Sequence, residues 1–250
     1  MKVLEKKENK IAQEMKRIYK RTFQELDVLL ADLYVSMMED GGITPANFYK
    51  YDRYTALQAT IAELARQLGQ KEEIIVANFL KEMYELEFRE YADAYLGKEF
   101  YQITEEMIEA AVKTNWSGEH FSSRIWDNKN KLVEQLDKIV IDGIALGIDR
   151  KKMNRLLLKQ FDTQYYCCDR IIRTESNFIY NRAHFDVYEK AGILQYEFLA
   201  ELDSRTSDKC AAMDGKKFYL TEAQVGWNYP PLHPNCRSTV MPVIKDEGEI

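Results

Sequence analysis

Four of the five prolines in this 250-residue chain lie between Pro230 and Pro242, and the fifth is Pro45. Proline deletes a backbone donor and breaks helices and central strands. The stretch between Pro45 and Pro230 can therefore run as long helices, whereas the last part must be built from turns. Apolar spacing agrees. Ile11, Met15, Ile18, Phe23, Leu26, Leu29, Leu30, Leu33 and Met37 recur mostly at three- and four-residue steps, which predicts a first helix stopped by Gly41-Gly42. Thr44 followed by Pro45 reads as an N-cap with proline at the first helical position. That helix is expected to run toward Leu68 and to end at Gly69. A third is expected over Glu72–Leu96, closed by Gly97. Thr104 opens a short fourth ending near Asn115, with Glu105 and Glu106 suiting the positive end of the helix dipole. Phe121 to Leu146 predicts a fifth, stopped by Gly147, with Gly143 in its last turn. Asp149 caps a short helix through Leu158, and Thr163 opens another that reaches about Ala191 before Gly192.

The texture changes after Gly192. Ile193–Leu202 alternates partly and suits a strand. Ser238–Val243 suits a closing strand at an edge, where Pro242 is tolerated. The expected class is mainly α, a helical N-terminal body with a small C-terminal α+β module. The expected division is a helical region over 1–115 and a second domain over 116–250, with long helices to 192 and a small tail over 193–243. The acidic tail from Asp246 is expected to fray.

Hydrophobic residues make up 46% of the chain, enough for a sizeable core. Charged residues make up 30%, and no uncharged apolar run reaches the roughly 18 residues that a membrane helix needs. Met1–Lys10 is highly charged and carries no apolar stretch of a secretory signal, so a cytoplasmic origin is expected. The net charge of −6 argues against a protein that coats DNA through bulk positive charge. Residues 120–190 alone carry a positive excess, 13 Lys and Arg against 10 Asp and Glu. A solvated helix face explains that small excess as well as a phosphate contact does. The four cysteines are few for this length, and the adjacent Cys167 and Cys168 read as two small residues on a helix.

A series of short motifs carries more information. Trp116-Ser117-Gly118 is followed by Phe121-Ser122-Ser123-Arg124-Ile125-Trp126. Arg173-Thr174-Glu175 is followed by Asn181, and then by Tyr188 through Gly192. Next come Asp203-Ser204-Arg205-Thr206 with Cys210, and Asp214-Gly215-Lys216. Last is Pro230-Pro231-Leu232-His233-Pro234-Asn235-Cys236-Arg237. In order and spacing this series, over about residues 110–243, resembles the phage head morphogenesis family, the minor head proteins that include the Mu F-like proteins. The resemblance implies a phage minor head or capsid protein in the virion or procapsid, made in a host bacterial cytoplasm. It implies action in head assembly at the portal vertex and in DNA packaging or delivery. The implied partners are the portal and other head proteins, with DNA as a further candidate and no membrane. Some relatives carry toxin domains after this module; the sequence ends at Ile250, shortly after Pro242, so none is expected here.

The residues of the tail admit more than one chemistry. Cys210, His233 and Cys236 are zinc-type ligands, and two residues separate the last pair, so one turn could present both to one tetrahedral ion. Asp203 could add an oxygen ligand. Hydrogen-bonded structural roles and a Cys210–Cys236 disulfide are the alternatives. The family pattern has a second cysteine where this chain has Ser238, which removes the neatest fourth ligand. Arg173, Glu175, Asp203, Arg205 and Arg237 could polarise a substrate, but an ion-pair network clamping the last long helix onto the tail is the expectation. No serine elbow, phosphate-binding glycine loop or HExxH pattern is present, and the chain is not expected to be an enzyme. His184 reads as an ordinary helix residue. The competing functions are a metal-dependent hydrolase or nuclease using His233 and Asp203, and a DNA-binding module using the middle stretch. Trp116 and Trp126 are expected to pin a helix hairpin. With Trp227, beside Tyr229 and the proline cluster, they are also the candidate partner-binding residues.

Overall fold

The computed structural model describes residues 2–97 and 101–244; the tail from Asp246 lies outside them. Among the described residues the helices are α1 (Lys2–Glu39), α2 (Pro45–Tyr49), α3 (Arg53–Tyr95), α4 (Glu105–Val112), α5 (Phe121–Ala145), α6 (Arg150–Lys190) and α7 (Asp208–Ala211). The strands are β1 (Gln195–Leu199), β2 (Lys217–Tyr219) and β3 (Thr239–Pro242). The protein is thus mainly α, with a small antiparallel sheet at its C-terminal end, as its sequence predicts. The chain folds into two compact units that are not consecutive in sequence. One comprises Met1–Asn9, Val76–Phe121 and Arg170–Ile250; the other comprises Lys10–Ile75 and Ser122–Asp169. Helices α1, α3 and α6 each contribute residues to both.

Two expected helix boundaries fail for one reason: each was placed on a residue that the folded chain uses for packing or for internal bonding. Gly69 does not end a helix. It lies inside α3, where an added Cβ would stand 2.9 Å from Trp126 Cζ3 and 3.0 Å from Lys129 Cγ. The missing side chain lets the Trp126 ring and the Lys129 stem lie against the α3 backbone. Lys129 then reaches Glu72 at 2.7 Å and donates to the Tyr19 hydroxyl, which itself donates to Glu72 at 2.6 Å. All three side chains are buried, so the charge on each partner is compensated where water is excluded. Thr163, in turn, does not open a helix. Its hydroxyl donates to the Lys159 carbonyl inside α6 (2.9 Å), and α6 continues unbroken for 41 residues. The helix predicted from Thr44 starts as expected, with Asn47 N–H donating to Thr44 Oγ1, but stops at Tyr49. Tyr51 and Asp52 then take left-handed φ angles of 53° and 55°, and α3 begins at Arg53.

Other signals give the expected ends. Gly192 takes φ 67°, and the Ile193 N–H reaches back to Tyr188 O at 2.9 Å, which closes α6 in a Schellman-type turn. Thr104 accepts from Met107 N–H and caps α4. In the tail the strand order is β2-β1-β3, which leaves Pro242 on an edge strand. Tyr196 and Phe198 point from the same face of β1 into two small adjoining clusters. Tyr196 joins Tyr188, Leu220, Tyr229 and Val240; Phe198 joins Cys210, Leu232 and Cys236.

Candidate functional site

The tail is held against the C-terminal half of α6, where almost every residue from Ile171 to Tyr188 is buried or half-buried. The bonds that hold it are neutral. Thr174, Asn177 and Asn181 lie three and four residues apart, so they share one face of α6. Thr174 Oγ1 accepts from Asn235 N–H at 3.0 Å. Asn177 and Asn181 both donate to the Ser238 carbonyl, at 3.0 and 3.3 Å. Asn181 Oδ1 accepts from the Thr239 hydroxyl at 3.1 Å, and Asn181 O accepts from the Tyr229 hydroxyl at 2.8 Å. The α6 stripe thus satisfies polar groups of the segment before β3 that would otherwise be buried unpaired.

Among the described residues, the partners of Arg173 and Glu175 lie outside the tail, so the expected charge clamp between α6 and the tail is not seen there. Arg173 pairs with Asn9 (2.9 Å) and Glu8 (3.5 Å) of α1, and Glu175 accepts from the Trp116 indole at 2.9 Å. The remaining three residues pair within the tail, and Arg205 also lies 3.9 Å from Glu5 of α1. Arg237 grips Asp203 with both guanidinium nitrogens, at 2.9 and 2.5 Å, and reaches Glu201 at 3.2 Å; Arg205 lies 3.5 Å from Asp203. Asp203 also accepts from Arg205 N–H at 2.7 Å. The Arg237 guanidinium, aided by that N–H, holds the Asp203 carboxyl far below the usual carboxylate range. An Asp203 so engaged is a loop brace rather than a base. It is also not among the residues gathered with the cysteines, contrary to the four-ligand expectation.

Cys210, His233 and Cys236 do come together, with their ligand atoms within 4.8 Å of one another. Local geometry explains why. Cys236 N–H bonds His233 O (3.2 Å), Pro234 stands at the second position of this turn and Asn235 at the third with φ 60°. Proline and asparagine suit these positions of a type II turn, and the turn sets residues one and four side by side. Cys210 is delivered by α7, whose N-cap Ser207 accepts from Cys210 N–H at 3.2 Å. Lys209 ties α7 to the carbonyls of Gly226 (2.6 Å) and Leu232 (3.3 Å). Cys210 Sγ lies 3.1 Å from His233 Nε2 and 3.7 Å from Cys236 Sγ; both cysteines are reduced. His233 Nδ1 lies 2.8 Å from Pro234 O, which can only accept, so Nδ1 carries the proton and Nε2 presents a lone pair. Hydrogen bonding from Cys236, and then from Ser207 and Ser238, favours ionised Cys210, and the same Cys210–Cys236 bond holds Cys236 protonated.

The three tryptophans play separate parts. Trp116 stacks on Phe178 with ring centroids 5.3 Å apart. It also lines a cleft of about 390 Å³ with Phe178, Arg182, Phe185, Gln224 and Tyr229. Trp126 covers Gly69 and donates to Glu73 at 3.1 Å. The expected Trp116–Trp126 pin is therefore replaced by two independent packings. Trp227 is 60% exposed, while its neighbour Tyr229 is buried. His184 is also fully buried, stacked on Tyr91 at 3.6 Å and 4.0 Å from Glu87.

Residues 134–241, a little under half of the chain, match the family model described as Phage Mu protein F like protein. Over this segment the chain is similar to the Mu F-like proteins. No curated protein and no solved structure matches the chain. The Mu F-like segment holds the α6 stripe, the Asp203–Arg237 brace and the Cys210–His233–Cys236 cluster. The Trp116–Trp126 motifs precede it. Sequence reasoning singled out the cysteines, His233 and Asn181. It did not single out Thr174, Asn177 and Ser207 as structural groups. The signal for the first two was available: small polar residues at helical spacing in a half-helix rich in apolar and aromatic residues.

Proposed function

We propose that this protein is a minor component of a phage head that acts in head assembly at the portal vertex, with a part in packaging or delivering DNA. The family match over residues 134–241 carries the reading. The structure supports it by giving the tail after α6 a braced fold suited to recognition. This tail is anchored to α6 by neutral bonds, and it leaves Trp227 exposed beside the proline-rich turns. Exposed tryptophans on rigid supports are favoured anchors of protein interfaces. In this reading residues 116–250 form the family's working domain and residues 1–115 are helices particular to this chain. The partners are the portal and other head proteins, and the protein resides in the virion or procapsid. No described helix is long and apolar enough to cross a membrane.

The test is co-sedimentation of the purified chain with portal rings from the same phage. Wild type should travel with the rings, and Trp227→Ala should weaken that association without changing the melting temperature. Rings that never retain the wild-type chain would defeat the proposal.

One observation favours a DNA contact as an additional role. Arg150, Lys151, Lys152, Arg155 and Lys159 are all exposed in the first turns of α6. Positive charge at a helix N-terminus opposes the dipole, at a cost of a few tenths of a kcal/mol per charge. The Arg150–Asp27 bond, at 2.6 Å, and the Asp149 carboxylate that caps the helix offset part of it. Binding of duplex DNA should then fall steeply with salt. Binding unchanged in an Arg150→Ala/Lys151→Ala/Arg155→Ala variant would remove this role.

A further inference from the structure

We propose that Cys210, His233 and Cys236 bind one zinc ion, with a water held near Ser207 as the fourth ligand, and that the ion staples α7 to the His233–Cys236 turn. The proposal stands apart from the assembly reading; either can fail without the other.

Four observations on the geometry lead there. First, the ligand atoms converge from two independent directions, α7 and the type II turn, and each is fixed by its own backbone bonds. Second, the sulfurs stand 3.7 Å apart. A disulfide requires about 2.05 Å. Two sulfurs each about 2.3 Å from a tetrahedral zinc are about 3.8 Å apart. Third, the His233 Nδ1 proton is committed to the Pro234 carbonyl, which orients Nε2 toward Cys210. Zinc-bound histidines use this arrangement, with the second ring nitrogen donating to a carbonyl. The Ser207 hydroxyl at 2.8 Å and the Cys210 thiol at 3.1 Å contend for the Nε2 lone pair; the hydroxyl proton can rotate away, and the thiol proton leaves when the metal binds. Fourth, the sulfurs sit among Phe198 and Leu232, with Met213 and Phe218 alongside. An apolar wall excludes water from the sulfur side and strengthens the attraction between thiolate and cation.

The donor set selects the ion. Thiolate and imidazole suit zinc, whereas magnesium and calcium require oxygen ligands. Two thiolates, a neutral imidazole and a divalent cation sum to zero charge, which fits a buried cluster. Both sulfurs bind as thiolates, and any protons they carry leave to solvent as the metal enters. The Ser207 hydroxyl, 2.8 Å from His233 Nε2 and bonded to Cys210 N–H, stands beside the cluster and can orient a water in the remaining position. The staple would act through the turn: the same turn donates Asn235 N–H to Thr174 on α6, so tying it to α7 stiffens the path from the sheet to the helix.

The test uses the full-length chain, reduced and stripped with chelator, titrated with cobalt(II) as a spectroscopic stand-in and then with zinc. Cobalt should saturate at one equivalent, with a thiolate-to-cobalt charge-transfer band and the strong visible absorption of a tetrahedral site. Zinc should abolish both and raise the melting temperature. Cys236→Ser and His233→Ala should each weaken binding by at least the roughly 10–100-fold that losing even a supporting group of a metal ligand costs. Cys167→Ser, on the exterior of the cluster, should change nothing. Should the ligand variants misfold, alkylation of wild type decides: zinc should protect Cys210 and Cys236 while Cys167 reacts equally with and without metal. No charge-transfer band in the wild-type chain, an unchanged band in Cys236→Ser, or equal alkylation of Cys210 and Cys236 with and without zinc would overturn the proposal.

Discussion

Asn181→Ala tests how the tail is anchored. Asn181 is fully buried. Its side chain donates to Ser238 O (3.3 Å) and Asn177 O (2.9 Å) and accepts from the Thr239 hydroxyl (3.1 Å). A neutral hydrogen bond contributes about 1 kcal/mol net, and a buried group left unpaired costs about 1–3 kcal/mol. Ser238 O keeps its bond from Asn177, so its loss is partial. Thr239 is only half-buried and can turn its hydroxyl toward water. The side-chain amide volume is also lost from a packed site. Together these give about 3 kcal/mol. For a chain of this size that lowers the melting temperature by about 6–12 °C. Thermal unfolding followed by circular dichroism reads the shift, with the exposed Asn130→Ala as control, expected within about 0.5 kcal/mol of wild type. An Asn181→Ala loss below about 1 kcal/mol would show that the α6 stripe does not anchor the tail.

Two further outcomes follow from buried groups. In a solvent-facing helix Gly69→Ala would stabilise by about 1 kcal/mol. Here the methyl meets Trp126 at 2.9 Å, so overpacking of about 1–3 kcal/mol should cancel or reverse that gain in urea denaturation; a clear stabilisation would contradict the packing. Burial, with Glu90 nearby, pushes Glu87 up to about 7, and burial holds His184 down to about 3. Glu87 therefore favours its neutral form in the fold. The stability this gives is complete below pH 4.5 and is lost as pH rises through about 7, while His184 acts in the opposite sense as pH falls below 6.5. Glu87→Gln, neutral throughout, should match wild type in acid and exceed it progressively above pH 4.5, levelling off above about 7. A gap that does not grow with pH would refute the assignment.

What could be read from the sequence followed from how local each signal is. Caps and stops at Thr44, Thr104 and Gly192 act through bonds to residues a few positions away, and the structure keeps them. The proline and glycine cluster marked the tail for the same reason. Gly69 looked like a stop because glycine weakens isolated helices. Only the approach of Trp126, 57 positions later, shows that it is a packing device. The cysteines and His233 stood out as ligand types, and the Pro234-Asn235 turn that aligns two of them was encoded locally. Asp203 was misassigned to them because its partner, Arg237, lies 34 residues away, and ion pairing of that range leaves no periodic trace. The α6 polar stripe was visible as spacing, but its meaning came only from the Ser238 and Thr239 groups that it meets.

Quantitative mass spectrometry of purified, DNA-filled heads tests the central claim most directly. An assembly component at the portal vertex predicts the chain in every preparation, at a few copies per particle beside an abundant shell protein. Heads that are complete, full and infectious yet contain none of it would contradict the account.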